Sequence, residues 1–220
     1  MYLPIMSNAK LESKGTRMGM KGVFICIEGL DGSGKSTQAK LLTKKLNKKF
    51  PTVYTAEPSQ GKIGKFIRQC CLYEEKRLPT EAEALLFAAD RIEHIENEVK
   101  PSLDEGKIVI CDRYVYSSLA YQGSAGLSLD WIKTINARAL QPDFSIFIDV
   151  APERVLERLQ RKKSVMETLE TQQKVREVYL KFVEKGELVK VDGDKTREAV
   201  AEALYVKVMG LLETVKGFVS

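Results

Sequence analysis

The stretch VFICIEGLDGSGKST, Val23 to Thr37, carries the decision about the fold. Its opening run, VFICIE, is apolar and short enough for a buried strand, while KSTQAKLLTKKLNKK, Lys35 to Lys49, follows a helical pattern. Between them Gly29-Leu-Asp-Gly-Ser-Gly34-Lys35-Ser36 matches GxxxxGK[ST], in the strand-to-helix position where that pattern has mechanical meaning. The glycines let backbone N–H groups converge on phosphate oxygens, and the helix presents its positive N-terminus. Lys35 can reach terminal phosphates and the Ser36 hydroxyl can ligate Mg²⁺. Two features of this loop ask for a reason: it contains an acid, Asp31, and no arginine.

Outward from the loop, short apolar runs alternate with helical patterns, which predicts βαβ units and a parallel sheet. The predicted strands are Val23 to Glu28, Val53 to Ala56, Lys107 to Asp112, Ser145 to Val150 and Leu188 to Val191. Their apolar continuity implies burial on both faces, hence a three-layer α/β/α fold around five parallel strands. Helices are expected at 35–49, 64–73, 80–104, 116–122, 129–139, 152–162, 168–185 and 196–216, with Pro101 inside or kinking the third.

The 220 residues, 44% apolar and 30% charged, fit an ordinary globular domain and exclude a disordered or membrane protein. Residues 20–220 are read as one domain and 1–19, which lack any apolar period, as an extension outside it. The net charge of +5 is concentrated in KKLNKK, Lys44 to Lys49, read as a solvated helix face, and in RLQRKK, Arg158 to Lys163. Cys26 and Cys111 fall in strands and Cys70 and Cys71 in a helix, without metal-ligand spacing; with no secretory signal, this places the chain in a reducing cytoplasm.

The third strand ends in Asp112, a candidate second anchor for the metal beside Ser36; a helix cap is the lesser alternative, and paired with the loop the metal reading wins. A GTPase would need a guanine-specifying NKxD and a DxxG switch, which are missing, so a compact kinase is the expectation. In TEAEALLFAADRIEHIENEVK, Leu85, Ala88, Ala89, Ile92, Ile95 and Val99 make one apolar stripe toward the core. Phe87, Arg91 and His94 fall roughly opposite, at about 100° per residue. Phe87 there is open to two uses, a ring for stacking a base with Arg91 donating to it, or packing on another helix. His94, between Glu93 and Glu96, is read as solvated or structural. Arg113, directly after the metal-site acid, would project into the cleft at the strand ends and suits a phosphate clamp. Ser118 and Gln122, four apart, share a helix face. Arg154, Arg158, Arg161, Lys162 and Lys163 read best as a lid over phosphates, spanning about 158–168.

The chain resembles the thymidylate kinases, nucleoside monophosphate kinases with the P-loop NTPase fold. The resemblance rests on FICIEGLDGSGKST, EPSQGKIGKFIR (Glu57 to Arg68), LLFAADR (Leu85 to Arg91), DRYVYSSLAYQG (Asp112 to Gly123) and QPD (Gln141 to Asp143), and covers Met20 to the C-terminus. It implies transfer of the γ-phosphoryl group of ATP to dTMP, with Mg²⁺. ATP would lie on Gly29, Leu30, Asp31, Gly32, Ser33, Gly34, Lys35, Ser36 and Thr37, and the metal on Ser36 and Asp112. For dTMP it implies Phe87 stacked on thymine, Arg91 on its carbonyl, and Arg68 and Arg113 on the phosphate. Ser118 and Gln122 would approach the base, Tyr121 the sugar, Asp31 the acceptor nucleotide, and Glu57 would complete the dTMP site. It also implies a homodimer. Catalytic cations would be Lys35, Arg113 and a lid arginine, Arg161 first and Arg158 second, in place of one in the loop. The chain departs from bacterial members at Ala56, where they carry arginine, at SQGK after Glu57-Pro58, and near Thr168, where a lid arginine is replaced.

Three other readings compete with this one: a deoxynucleoside kinase, which needs a carboxylate base such as Glu57, another nucleoside monophosphate kinase, and a regulatory or nucleic-acid-binding protein that kept the loop. The last would show an extended basic stripe with interleaved aromatics, which the sequence lacks, so neither nucleic acid nor membrane is an expected partner.

Overall fold

The apolar run before the loop becomes the middle strand of a sheet. The computed structural model describes residues 22–72, 78–158 and 168–215. Its strands are β1 (Val23–Gly29), β2 (Thr52–Ala56), β3 (Ile108–Asp112), β4 (Phe144–Asp149) and β5 (Val189–Asp192), in the order β2-β3-β1-β4-β5. All pairings are parallel, and Cys26 on β1 lies between Cys111 of β3 and Ser145 of β4. Every residue of β1 is buried.

Alternation along β1 divides the core. Val23, Ile25 and Ile27 join one apolar cluster with Leu42, Leu46, Leu119, Tyr179, Phe182, Leu204 and Leu212. These come from α1 (Lys35–Leu46), α5 (Val115–Ser124), α8 (Leu169–Glu184) and α9 (Arg197–Glu213). Phe24 and Cys26 point to the other face, with Ile95, Val99, Leu103 and Tyr114. Helices thus cover both faces, the three-layer arrangement expected from unbroken apolar strands. Thr168 and Thr196 cap α8 and α9, each accepting a backbone N–H with its hydroxyl. Because β1 is flanked by β3 on one side and β4 on the other, the strand order reverses beside its carboxyl end, which opens a ligand crevice there.

The expected helix 80–104 is present in three pieces: α3 (Thr80–His94), a wide π turn (Ile95–Val99) and α4 (Lys100–Asp104). Pro101 lacks an N–H, and its ring would meet the carbonyl of Asn97 in a regular helix. The wide turn before it relieves that conflict. The apolar stripe predicted for this helix is partly wrong. Ala88, Ile95 and Val99 are buried, but Leu85 and Ile92 are 50% and 45% exposed, while Arg91 and His94 are 2% exposed. The polar side chains go inside because they find partners there, as the next section shows.

The remaining differences are at ends. The helix predicted at 64–73 is α2 (Lys62–Ile67) continued by a π turn (Arg68–Leu72), with residue 73 outside the described residues. The one at 129–139 is α6 (Leu129–Ile135), stopping where the Asn136 side chain turns back to bond Ile132 O. The helix 152–162 is described as α7 (Pro152–Arg158). Residues 1–19, Arg161 and most of the expected lid lie outside the described residues. Among the described residues no helix is long and apolar enough to cross a membrane.

Candidate active site

The phosphate loop leaves β1 through Gly29, where a Cβ would come within 2.9 Å of Ile148 O, and enters α1 through Gly34, at φ 88. Only glycine meets both demands cheaply. Lys35 opens α1, and its buried ammonium donates to Leu30 O at 2.6 Å across the loop. Burial and the nearby Arg113 charge lower its pKa to about 8, against the opposing pull of Asp31, Asp112 and Glu28.

Ser36 and Asp112 do meet: the Ser36 hydroxyl donates to Asp112 Oδ2, and Tyr54 OH reaches the same oxygen at 3.4 Å. The helix-cap alternative fails, because α5 starts at Val115 with no side-chain cap. The other carboxylate oxygen, Oδ1, is buried without a partner among the described residues. An orphaned buried oxygen beside a serine hydroxyl is the hard, all-oxygen donor set that suits Mg²⁺, which takes its remaining ligands from phosphate and water.

Arg113 meets the loop at Asp31. Its Nη2 bonds Asp31 Oδ1 at 2.5 Å and Tyr121 OH at 3.3 Å, Nη1 donates to Ser117 Oγ at 3.1 Å, and the guanidinium sits 4.9 Å over the Tyr121 ring. The Asp31 N–H donates to Tyr121 OH at 2.9 Å. Burial alone would raise the Asp31 pKa, but Arg113, Lys35 and the hydrogen bonds overcome it and bring the value down to about 2. Asp31, Arg113 and Tyr121, predicted separately, therefore form one cluster, and the loop acid serves as the counter-ion of the neighbouring arginine.

A second cluster forms around Arg91. Arg91 Nε and Nη2 donate to Glu57 Oε2 at 2.9 and 2.6 Å, Nη2 also reaches Ser118 Oγ at 3.2 Å, and Nη1 donates to Asn136 Oδ1. Its guanidinium lies 5.0 Å over the Tyr114 ring. His94 bonds Thr55 Oγ1 at 2.6 Å and Glu57 Oε1 at 3.2 Å, so it is structural and not solvated. Asp90, on the same helix, takes the Ser59 N–H at 2.8 Å and hydroxyl at 2.6 Å. These pairings offset the cost of burying charge on α3. Gln122 is buried near Ser118 on α5, its Oε1 without a partner among the described residues. Phe87 is half-buried on α3. Arg68 is drawn to its own segment, donating to Pro58 O at 2.6 Å and Ser59 O at 2.5 Å, and it does not join the Arg113 cluster.

A cleft of about 320 Å³ runs from Gly32, Ser33, Gly34, Thr37 and Gln38 to Arg158, Gly193, Lys195, Arg197 and Val200. Of the expected lid cations, Arg158 faces this cleft, whereas Arg154 turns to Asp194 O at 3.1 Å. Sequence reasoning missed Lys195 and Arg197; the only signal was a pair of basic residues just after the last strand. It also missed Asn136, which no motif marks, and gave no role to Tyr114, although that residue lies within DRYVYSSLAYQG.

The family model described as thymidylate kinase matches residues 27–204. A probable thymidylate kinase of Pyrococcus horikoshii is 46% identical over 173 residues, 75% of this chain and 84% of that protein. One of Thermococcus kodakarensis is 42% identical over 206 residues, covering 89% and 99%. A thymidylate kinase of Halothermothrix orenii is 38% identical over 205 residues, covering 88% and 99%.

Proposed function

We propose that this chain, which belongs to the thymidylate kinase family, transfers the γ-phosphoryl group of ATP to dTMP, giving dTDP and ADP. The observation that carries the reading is the Asp31–Arg113 contact: a cation follows the metal-site acid directly and lies against the phosphate loop. Two polyanions have to be brought together at that point.

The chemistry asks little of a general base. A phosphate monoester has its second pKa near ~6, so the attacking oxygen of dTMP is already anionic at neutral pH. The protein instead positions two anions and offsets their repulsion. Lys35 holds the terminal phosphates of ATP, Arg113 and Arg68 hold the dTMP phosphate, and Arg158 or Arg161 reaches the transferring group from the donor side. Ser36 and Asp112 would hold Mg²⁺, which would supply charge neutralisation at the phosphates. Arg91, kept in place by Glu57, recognises a thymine carbonyl, with Phe87 stacked on the ring and Ser118 and Gln122 beside it. Tyr121 crowds the sugar. Arg68 enters this role by leaving its carbonyl partners for phosphate.

A deoxynucleoside kinase would need Glu57 as a base. That carboxylate is shared between Arg91 and His94, which favours its use as a counter-ion. A coupled ADP-release assay with dTMP, dUMP, dGMP, AMP and thymidine as acceptors tests the reading: turnover of dTMP is expected, and turnover of thymidine without dTMP overturns it. The exposed Phe66, Leu85 and Ile92 on α2 and α3 support a homodimer built on those helices. The cytoplasm is the proposed compartment, in keeping with cysteines that form no disulfide.

A further inference from the structure

We infer that Glu28, the residue before the phosphate loop, is a positioning residue for Arg113. The inference rests on the reading that Arg113 holds the acceptor phosphate. Glu28 sits in β1 with no exposure at all, in a strand whose other members up to Gly29 are apolar. A carboxylate there is costly to bury unless its oxygens are fully used. They are: Oε1 accepts the Tyr114 N–H at 2.9 Å, and Oε2 accepts the Ser117 hydroxyl at 2.6 Å and the Tyr179 hydroxyl at 3.1 Å.

Both oxygens lead to Arg113. Through the main chain, Glu28 holds the N–H of Tyr114 while Ile27 O accepts the N–H of Arg113 at 3.0 Å. These bonds bracket a residue at φ 72, the left-handed region that an L side chain with a Cβ resists. The strain turns the arginine back over the loop. Through side chains, Ser117 donates to Glu28 and accepts from Arg113 Nη1 at 3.1 Å, so one hydroxyl connects acid and guanidinium. Tyr179 OH lies 3.1 Å from both Ser117 Oγ and Glu28 Oε2, and its ring stacks on Phe147 at 4.7 Å. Glu28 thereby joins β1, the turn after β3, and α8 at a single point, and fixes where the Arg113 guanidinium can stand.

Steady-state kinetics of Glu28→Ala, Ser117→Ala, the double variant and Arg113→Ala, with thermal unfolding of each, tests this. Glu28→Ala is expected to raise KM for dTMP by at least about tenfold while KM for ATP moves less than about threefold. Ser117→Ala is expected to raise KM for dTMP about threefold. The double variant should be no worse than Glu28→Ala, since both act along one path. Equal shifts in both KM values, or multiplicative effects in the double variant, overturn the inference. If Glu28→Ala does not fold, Ser117→Ala and Tyr179→Phe, which remove one hydroxyl each, decide it: KM for dTMP within twofold of the parent in both overturns it. Arg113→Ala separates the two levels. If it leaves KM for dTMP unchanged, the assignment of Arg113 falls and the inference with it; if it raises that KM while Glu28→Ala does not, only the role of Glu28 falls.

Discussion

Asp31 and Arg113 stand 82 residues apart in the chain and meet at 2.5 Å, carboxylate to guanidinium, beside the hydroxyl of Tyr121. The acid in the loop is therefore the partner of a cation that the loop itself does not contain. It holds the Arg113 guanidinium against the loop.

This pairing has a pH signature. A carboxyl whose folded pKa is lowered from 3.8 to about 2 adds stability that is present above its unfolded pKa and lost as pH falls through the folded value. The stabilisation is roughly 2 kcal/mol, each unit being about 1.4 kcal/mol. Asp31→Asn should thus unfold more easily than the parent at pH 6, and the gap should close between about pH 4 and pH 2. Denaturant melts at a series of pH values measure it, and a gap independent of pH would remove the ion pair from the account.

Lys35 gives the opposite limb. Its buried ammonium, with a pKa lowered to about 8, loses its proton as pH rises through that value, and the proposed grip on ATP phosphates needs the charged form. KM for ATP is expected to rise above pH 8. Lys35→Ala should lower kcat/KM by about two to three orders of magnitude, the usual cost of removing a cation aimed at transferring charge. Turnover at parental rates in that variant would take the loop out of the mechanism.

Arg91 and Glu57 form a pair with 2% and 3% side-chain exposure. Removing one partner of such a pair leaves an uncompensated buried charge and costs about 3–5 kcal/mol. Arg91→Ala should lower Tm by several degrees and weaken dTMP binding together, both readable from melts with and without nucleotide. Unchanged stability would remove the Arg91–Glu57 pair from the account of the fold.

On the donor side, Arg161→Ala, or failing that Arg158→Ala, is expected to depress kcat with little change in KM for dTMP. Single-turnover phosphoryl transfer measures this directly. If neither variant is slowed, the transferring group draws its charge from elsewhere.

Ile92→Glu places a charge on the exposed apolar side of α3, next in sequence to Arg91 but 45% exposed where Arg91 is buried. Analytical ultracentrifugation should show a shift from dimer to monomer. A parent that sediments as a monomer would refute the proposed interface.

Much of this architecture was legible in the amino-acid order. The apolar runs of the three central strands, β1, β3 and β4, carry their own burial, whereas the edge strands β2 and β5, also read as covered on both faces, are only partly buried because each has a neighbour on one side alone. The loop announces itself for a similar local reason: glycine spacing, lysine and serine act within eight consecutive residues, Gly29 to Ser36. The limits appear on α3. Periodicity counted Leu85 and Ile92 as core and could not see that Arg91, His94 and Asp90 would be the ones drawn inside. Their burial depends on Glu57, Thr55 and Ser59, which arrive from another part of the chain. Glu28 shows the same limit more sharply, since in the sequence it is one acid at the end of an apolar strand, and its partners Tyr114, Ser117 and Tyr179 are 86 to 151 residues away. Hydrophobic burial is a property of each residue and survives in a one-dimensional reading. A buried polar group is stabilised only by the particular partner that meets it, and for Asp31, Arg113 and Glu28 that partner was chosen by the folded chain.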